Sequence, residues 1–164
     1  MDMNLSKLFE TQNVLRERIG YNGPDRLNKL VLALLVEIGE CANELPEVFK
    51  FWKQKRKNNY EKALVEYVDG LHFVLEVGLE LGVKDTVYLP LSIKSNTSTD
   101  LTTQFILINN TATELLLDTN LEQYKILVYE YLALGEMIGF SWEQIQSAYF
   151  SKNYINHQRQ DAGY

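Results

Sequence analysis

Histidine, cysteine and proline are scarce in this chain of 164 residues, which holds two, one and three of them. The lone Cys41 forms no intramolecular disulfide and builds no Cys-based zinc site, which suits a reducing compartment. His72 and His157 leave little material for a histidine-rich metal site or a His-based nucleophilic triad. Long apolar runs are missing too. The longest, residues 30–36, falls far short of the roughly 20 residues that span a bilayer. The first residues lack a basic segment followed by an apolar one, so no secretory signal is expected. A basic surplus is also absent: the net charge is −6, which argues against a nucleic-acid binder. What is present is ordinary for a folded protein, with 46% hydrophobic and 23% charged residues. A chain of this length can bury a core without covalent staples. The expectation is one domain over 1–164, cytoplasmic, with neither membrane nor nucleic acid as partner.

The apolar periodicity is helical throughout, and about six helices are expected. The first runs over residues 5–19 and is broken by Gly20 to Pro24. Pro24-Asp25 opens a second over about 25–45, which Pro46 ends or kinks. A basic, aromatic-containing stretch, Phe49-Lys-Phe-Trp52-Lys-Gln-Lys-Arg-Lys57, follows. Asn58-Asn59 caps a third helix over about 60–81, closed by Gly82. Residues 92–100 are polar and read as a loop, with a strand-like piece suggested near 87–93. Weak helical character returns over 103–117. Asn120 caps a helix to about 138, and Ser141-Trp-Glu-Gln144 is a capping box that opens the last one.

Two acidic pairs stand on the long helices: Glu37-Ile-Gly-Glu40 and Glu66-Tyr-Val-Asp69. Residues three apart on a helix are neighbours, so each pair repels itself by a few tenths of a kcal/mol. A divalent cation reverses that sign. Placement adds weight. At 100° per residue Glu37 falls between Leu34 and Cys41, inside the apolar stripe. Glu66 shares a face with Gly70, Phe73 and Val77. A carboxylate facing a core is costly unless paired or bound to metal. The nearby basic residues on similar faces, Arg26 and Lys62, neutralise only part of four carboxylates. Oxygen-only ligands suit a hard cation, Mg²⁺ with Mn²⁺ as substitute. The plainer reading makes these solvated face charges. A di-iron carboxylate bundle would need paired Glu-x-x-His motifs, and only Asp69-x-x-His72 has that spacing.

Glu-x-x-Glu followed after 25 residues by Glu-x-x-Asp resembles the all-α nucleoside triphosphate pyrophosphohydrolases of the MazG-like superfamily. Three further stretches narrow the likeness: Phe49-Lys-Phe-Trp-Lys53, Glu66-Tyr-Val-Asp-Gly-Leu-His-Phe73, and a tail with Lys152, Asn156, Arg159, Gln160 and Gly163-Tyr164. Together they are similar to the dimeric dUTPase family, over residues 5–82 and 120–164. Residues 84–118 carry none of the motifs and read as an insertion. The resemblance implies an all-α bundle with a metal site between two long helices. It also implies a homodimer, and Mg²⁺-dependent hydrolysis of dUTP, and of dUDP, to dUMP with release of pyrophosphate or phosphate. It places Glu37, Glu40, Glu66 and Asp69 on the metal ions, with Glu37 also orienting the attacking water. Gln12 and Trp52 would face the base and Phe73 the deoxyribose. Lys152, Asn156, Arg159 and Tyr164 would hold phosphates. Arg16 stands where the family tends to carry Asp or Asn.

Plainer roles compete residue by residue. Trp52 and Phe73 also suit a core, His72 a satisfied structural histidine, residues 53–57 a solvated loop, and Tyr164 a frayed end. Cys41 reads as core, its thiol raised by a neighbour such as Glu40. Two alternatives to dUTP hydrolysis stay open. One is a related pyrophosphohydrolase acting on dCTP or another nucleotide. The other is a catalytically idle helical binding or regulatory module.

Overall fold

The computed structural model describes residues 5–83 and 100–164, and every regular element among them is a helix. In chain order these are α1 (Ser6–Ile19), α2 (Arg26–Asn43), α3 (Pro46–Phe49), α4 (Tyr60–Glu80), α5 (Leu101–Glu114), α6 (Leu121–Ile138) and α7 (Trp142–Asp161). The all-α expectation stands, with seven helices among the described residues where about six were expected. The extra one is α3. Pro46 does not kink the second helix, which has already ended at Asn43; it occupies the first position of α3, where its missing N–H has no intrahelical partner to lose. The strand-like piece suggested for 87–93 lies outside the described residues.

The caps follow the local chemistry. Asn59, Asn120 and Ser141 each accept a backbone N–H from three residues on, and Ser141 and Gln144 close the capping box. Asp25 makes no such bond. Gly20 and Gly139 end α1 and α6 in the left-handed region, at φ 66° and 102°, which glycine occupies without steric cost.

Helix α4 is the central element. Eleven of its residues are buried, too many for one stripe, so it is covered on several sides. Helix α2 packs along it, α1 and α7 cover a second flank, and α6 reaches it from a third. Helix α5 bridges α2 and α6. The α4–α6 contact is close because glycines face tyrosines. Tyr67 and Tyr131 stack at 4.9 Å. Each hydroxyl donates to the other residue's backbone carbonyl, Tyr67 at 3.1 Å and Tyr131 at 2.7 Å. Tyr124 donates likewise to the Val74 carbonyl. Burial holds all three phenols far above their ordinary pKa, so they remain donors. A Cβ on Gly70 would lie 2.1 Å from the Tyr131 hydroxyl oxygen. Gly70→Ala is therefore expected to destabilise the fold by about 1–3 kcal/mol, as overpacking does, visible as a lower Tm in a thermal melt. An unchanged Tm would mean that Tyr131 is free to swing aside.

Candidate active site

The α2–α4 contact brings three carboxylates into one cluster. Glu37 and Glu40 on α2 and Glu66 on α4 each offer an oxygen, all within 4.8 Å of one another. Asp69, one turn beyond Glu66, pairs with the Lys152 ammonium from α7. Glu37 is the innermost. Its Oε2 is buried and has no hydrogen-bond partner among the described residues. Burial, then the charges of Asp69, Glu40 and Glu66, push its carboxyl up to about 7, against a smaller opposing pull from Lys152. Glu66 is raised by the same kind of causes, burial first and then Asp69 and Glu40.

Neither of the nearby cations expected on similar faces forms an ion pair with the cluster among the described residues. Arg26 bonds Glu80 at 2.7 Å and also the Tyr21 carbonyl, and Lys62 is exposed. The cation that reaches this cluster, Lys152, comes from 83 residues beyond Asp69. One ammonium does not balance four carboxylates. An orphaned buried oxygen, two raised carboxyls and an all-oxygen donor set fit a hard divalent cation.

One turn along α4 and α7 from the cluster lies a pocket of about 360 Å³, lined mainly by apolar surface. That is near the lower end of ligand pockets, roughly 300–1,000 Å³, and suits a nucleoside-sized group. Gln12, Phe73, Asn156, Arg159 and Tyr164 all line it. Lys152 does not; it sits at the carboxylates. The last helix does continue far enough to carry Lys152, Asn156 and Arg159 on one face. That face is split between two tasks, with Lys152 at the acidic cluster and the other two at the pocket. The Arg159 guanidinium lies 5.3 Å from the Tyr164 ring centroid, which folds the chain end back over the helix.

A polar wall closes the pocket, and sequence reasoning saw only part of it. Gln12 is 2% exposed. Its Nε2 donates to Glu76 at 2.8 Å, and its Oε1 accepts from the Tyr149 hydroxyl at 2.7 Å. The same oxygen lies 2.6 Å from His72 Nδ1. Arg16 donates to Glu76 at 2.7 Å and also to Glu80. His72 is not the fully satisfied histidine expected. Its ring stacks on Tyr149 at 4.2 Å, but its buried Nε2 has no partner among the described residues. Burial, then Lys152, depress its pKa to about 3, so the ring is neutral. Glu76 and Glu80 were missed, although they continue the Glu66, Asp69, Phe73 face of α4 at helical spacing. Tyr149 carried no local signal.

Trp52 is not brought to this pocket. It is neither core nor lining, being 60% exposed, with edge-on contacts to Phe49 and Phe51. Residues 53–57 form the exposed stretch expected of them. Cys41 is core at 1% exposure, and its Sγ donates to the Ala63 carbonyl. The thiol is pushed up to about 12 by burial first, then by Glu66 and Glu44, and not by Glu40 as expected. No helix among the described residues is long and apolar enough to cross a membrane.

An all-helical frame with an acidic cluster one turn from a nucleoside-sized pocket defines a class, the helical nucleotide hydrolases. A family model described as dUTPase matches residues 4–164. The chain belongs to this all-α dUTPase family and is a dUTP-hydrolysing enzyme. The match runs through residues 84–118, where no motif was visible. A comparison with curated proteins gives no match.

Proposed function

We propose that the protein is a Mg²⁺-dependent dUTPase of the cytoplasm that releases pyrophosphate from dUTP, also accepts dUDP, and works as a homodimer. The observation that carries the metal dependence is the orphaned Glu37 Oε2 inside a cluster of carboxylates. Glu37, Glu40, Glu66 and Asp69 would hold the ions. When bound, Mg²⁺ supplies positive charge for the phosphate oxygens. The chain's own residues do the rest. The pocket takes the nucleoside, with Phe73 against the sugar and Gln12 toward the base. The phosphates run one turn along α4 and α7 toward Asp69, where Lys152 meets them. Asn156, Arg159 and Tyr164 close over the pocket mouth. Glu37, the innermost of the four carboxylates, orients the attacking water and takes its proton. For the homodimer, Leu32 and Val36 support the reading: they lie four apart on α2 and are 63% and 49% exposed. Such apolar surface gains from a partner.

The test is hydrolysis of dUTP, dUDP, UTP and dTTP, with Mg²⁺ and with EDTA, following dUMP and pyrophosphate. Hydrolysis of dUTP and dUDP is expected only with the metal. A desolvated 2′-hydroxyl without a partner costs about 1–3 kcal/mol, so UTP should be roughly tenfold to a hundredfold slower in kcat/KM. Undiminished turnover in EDTA would sink the metal assignment. Equal turnover of dUTP, UTP and dTTP would sink the specificity.

A further inference from the structure

The polar wall of the pocket is a chain of contacts in which each link fixes the next. Arg16 holds Glu76 as a carboxylate at 2.7 Å. A carboxylate only accepts, so the Gln12 group 2.8 Å from it must be the amide N–H₂. That turns Gln12 Oε1 toward Tyr149 and His72. An amide oxygen only accepts, so His72 Nδ1 carries the proton. The neutral ring then has its lone pair on Nε2, the buried atom without a partner. Arg16 itself lines the pocket. Its bonds to Glu76 and Glu80 leave Nε–H and one further N–H without a partner among the described residues.

We propose that Arg16 determines the choice of base: it locks Gln12 and the His72 tautomer, and it adds N–H donors to the wall, so that the pocket takes the imide edge of uracil and refuses cytosine. Uracil presents carbonyl oxygens beside an N–H, which meet donors and an acceptor. Cytosine presents an amino group beside a bare ring nitrogen, and both positions are then mismatched. A site built around such hydrogen bonds leaves its own buried groups unpaired with the wrong ligand, which is the strongest form of rejection. Arg16 therefore acts as a positioning residue through Glu76 and Gln12, besides offering its own free N–H groups to the base. The inference rests on the dUTP reading of the pocket.

Two measurements test it, one of which needs neither substrate nor metal. With only two histidines in the chain, ¹⁵N-histidine NMR of the protein in EDTA isolates His72 once His157→Asn has assigned the other. His72 is expected as the Nδ1–H tautomer, unchanged from about pH 5 to pH 8, and Arg16→Met is expected to mix the tautomers. A protonated Nε2 in the wild type, or the same pure tautomer in a folded Arg16→Met protein, overturns the lock. The second measurement is kcat/KM for dUTP and dCTP. The wild type should favour dUTP by at least about a hundredfold. Arg16→Met should bring that ratio within about tenfold, and Arg16→Lys should lie between, since one ammonium replaces a fork. A wild-type ratio near one overturns the inference without any variant, as does an unchanged ratio in Arg16→Met. No turnover of dUTP under any condition would instead remove the dUTP reading, and this inference with it.

Discussion

Glu37→Gln is expected to lower kcat for dUTP by about 10²–10⁴, the range for loss of a positioned acid–base group, and to leave the metal-free fold intact or firmer. The two halves of that expectation have one cause. Glu37 is inside the α2–α4 contact with an oxygen that bonds to nothing among the described residues. Asp69, Glu40 and Glu66 all repel its charge. A carboxylate needed only for stability would have been given donors. Glutamine keeps the shape, removes the charge, and can neither take a proton nor hold a cation well. Activity and stability should therefore move in opposite directions. The check is steady-state kinetics beside thermal melts in EDTA. Near-native kcat in a folded variant would show Glu37 to be a bystander. A clear loss of Tm in EDTA would show that its carboxyl is a structural partner.

Helix boundaries and the acidic cluster were legible because both are local. Helix α2 was expected over about 25–45 and runs from Arg26 to Asn43; α4 was expected over about 60–81 and runs from Tyr60 to Glu80. Caps and stop glycines act within one turn, so a single strand of text contains them. Glu37 announced itself by falling inside an apolar stripe, Glu66 by sharing a face with Phe73 and Val77, and Glu40 by standing one turn from Glu37. The short α3 was missed because four residues are too few to show a period. Long-range pairings were not legible either. Asp69 with Lys152 spans 83 positions, Gln12 with Glu76 spans 64, and Gln12 with Tyr149 spans 137. Nothing in the neighbourhood of Arg16 says that two carboxylates of α4 will meet it. Trp52 shows the converse limit. Its motif marks it for the base, but its segment leaves it exposed beside Phe51, away from the pocket.

Proton and cation are expected to compete for Glu37, so that affinity for Mg²⁺ falls by roughly tenfold per pH unit well below about pH 7, and is roughly fiftyfold weaker at about pH 5 than at neutrality. The carboxyl sits at about 7 without metal, and the metal-binding form is the ionised one. The same shift governs stability. An unfolded chain loses the Glu37 proton near the ordinary value of 4.5, whereas the folded metal-free protein keeps it to about 7. Between those values the folded state binds more protons, so stability falls as pH rises. The Glu37 contribution is fully present below about 4.5 and is lost as pH rises through about 7. Glu66 is raised for similar reasons and adds to the trend. With saturating Mg²⁺ the slope should reverse, because the ion binds the deprotonated folded state alone. Calorimetric titration of Mg²⁺ in buffers of different ionisation heat counts the protons released, and melts in EDTA follow Tm against pH. One proton released near pH 6, and an EDTA slope flattened by Glu37→Gln, are the expected results. Affinity independent of pH between about 5 and 7 would mean that Glu37 is already ionised in the free protein, and that the cluster is neutralised in some other way.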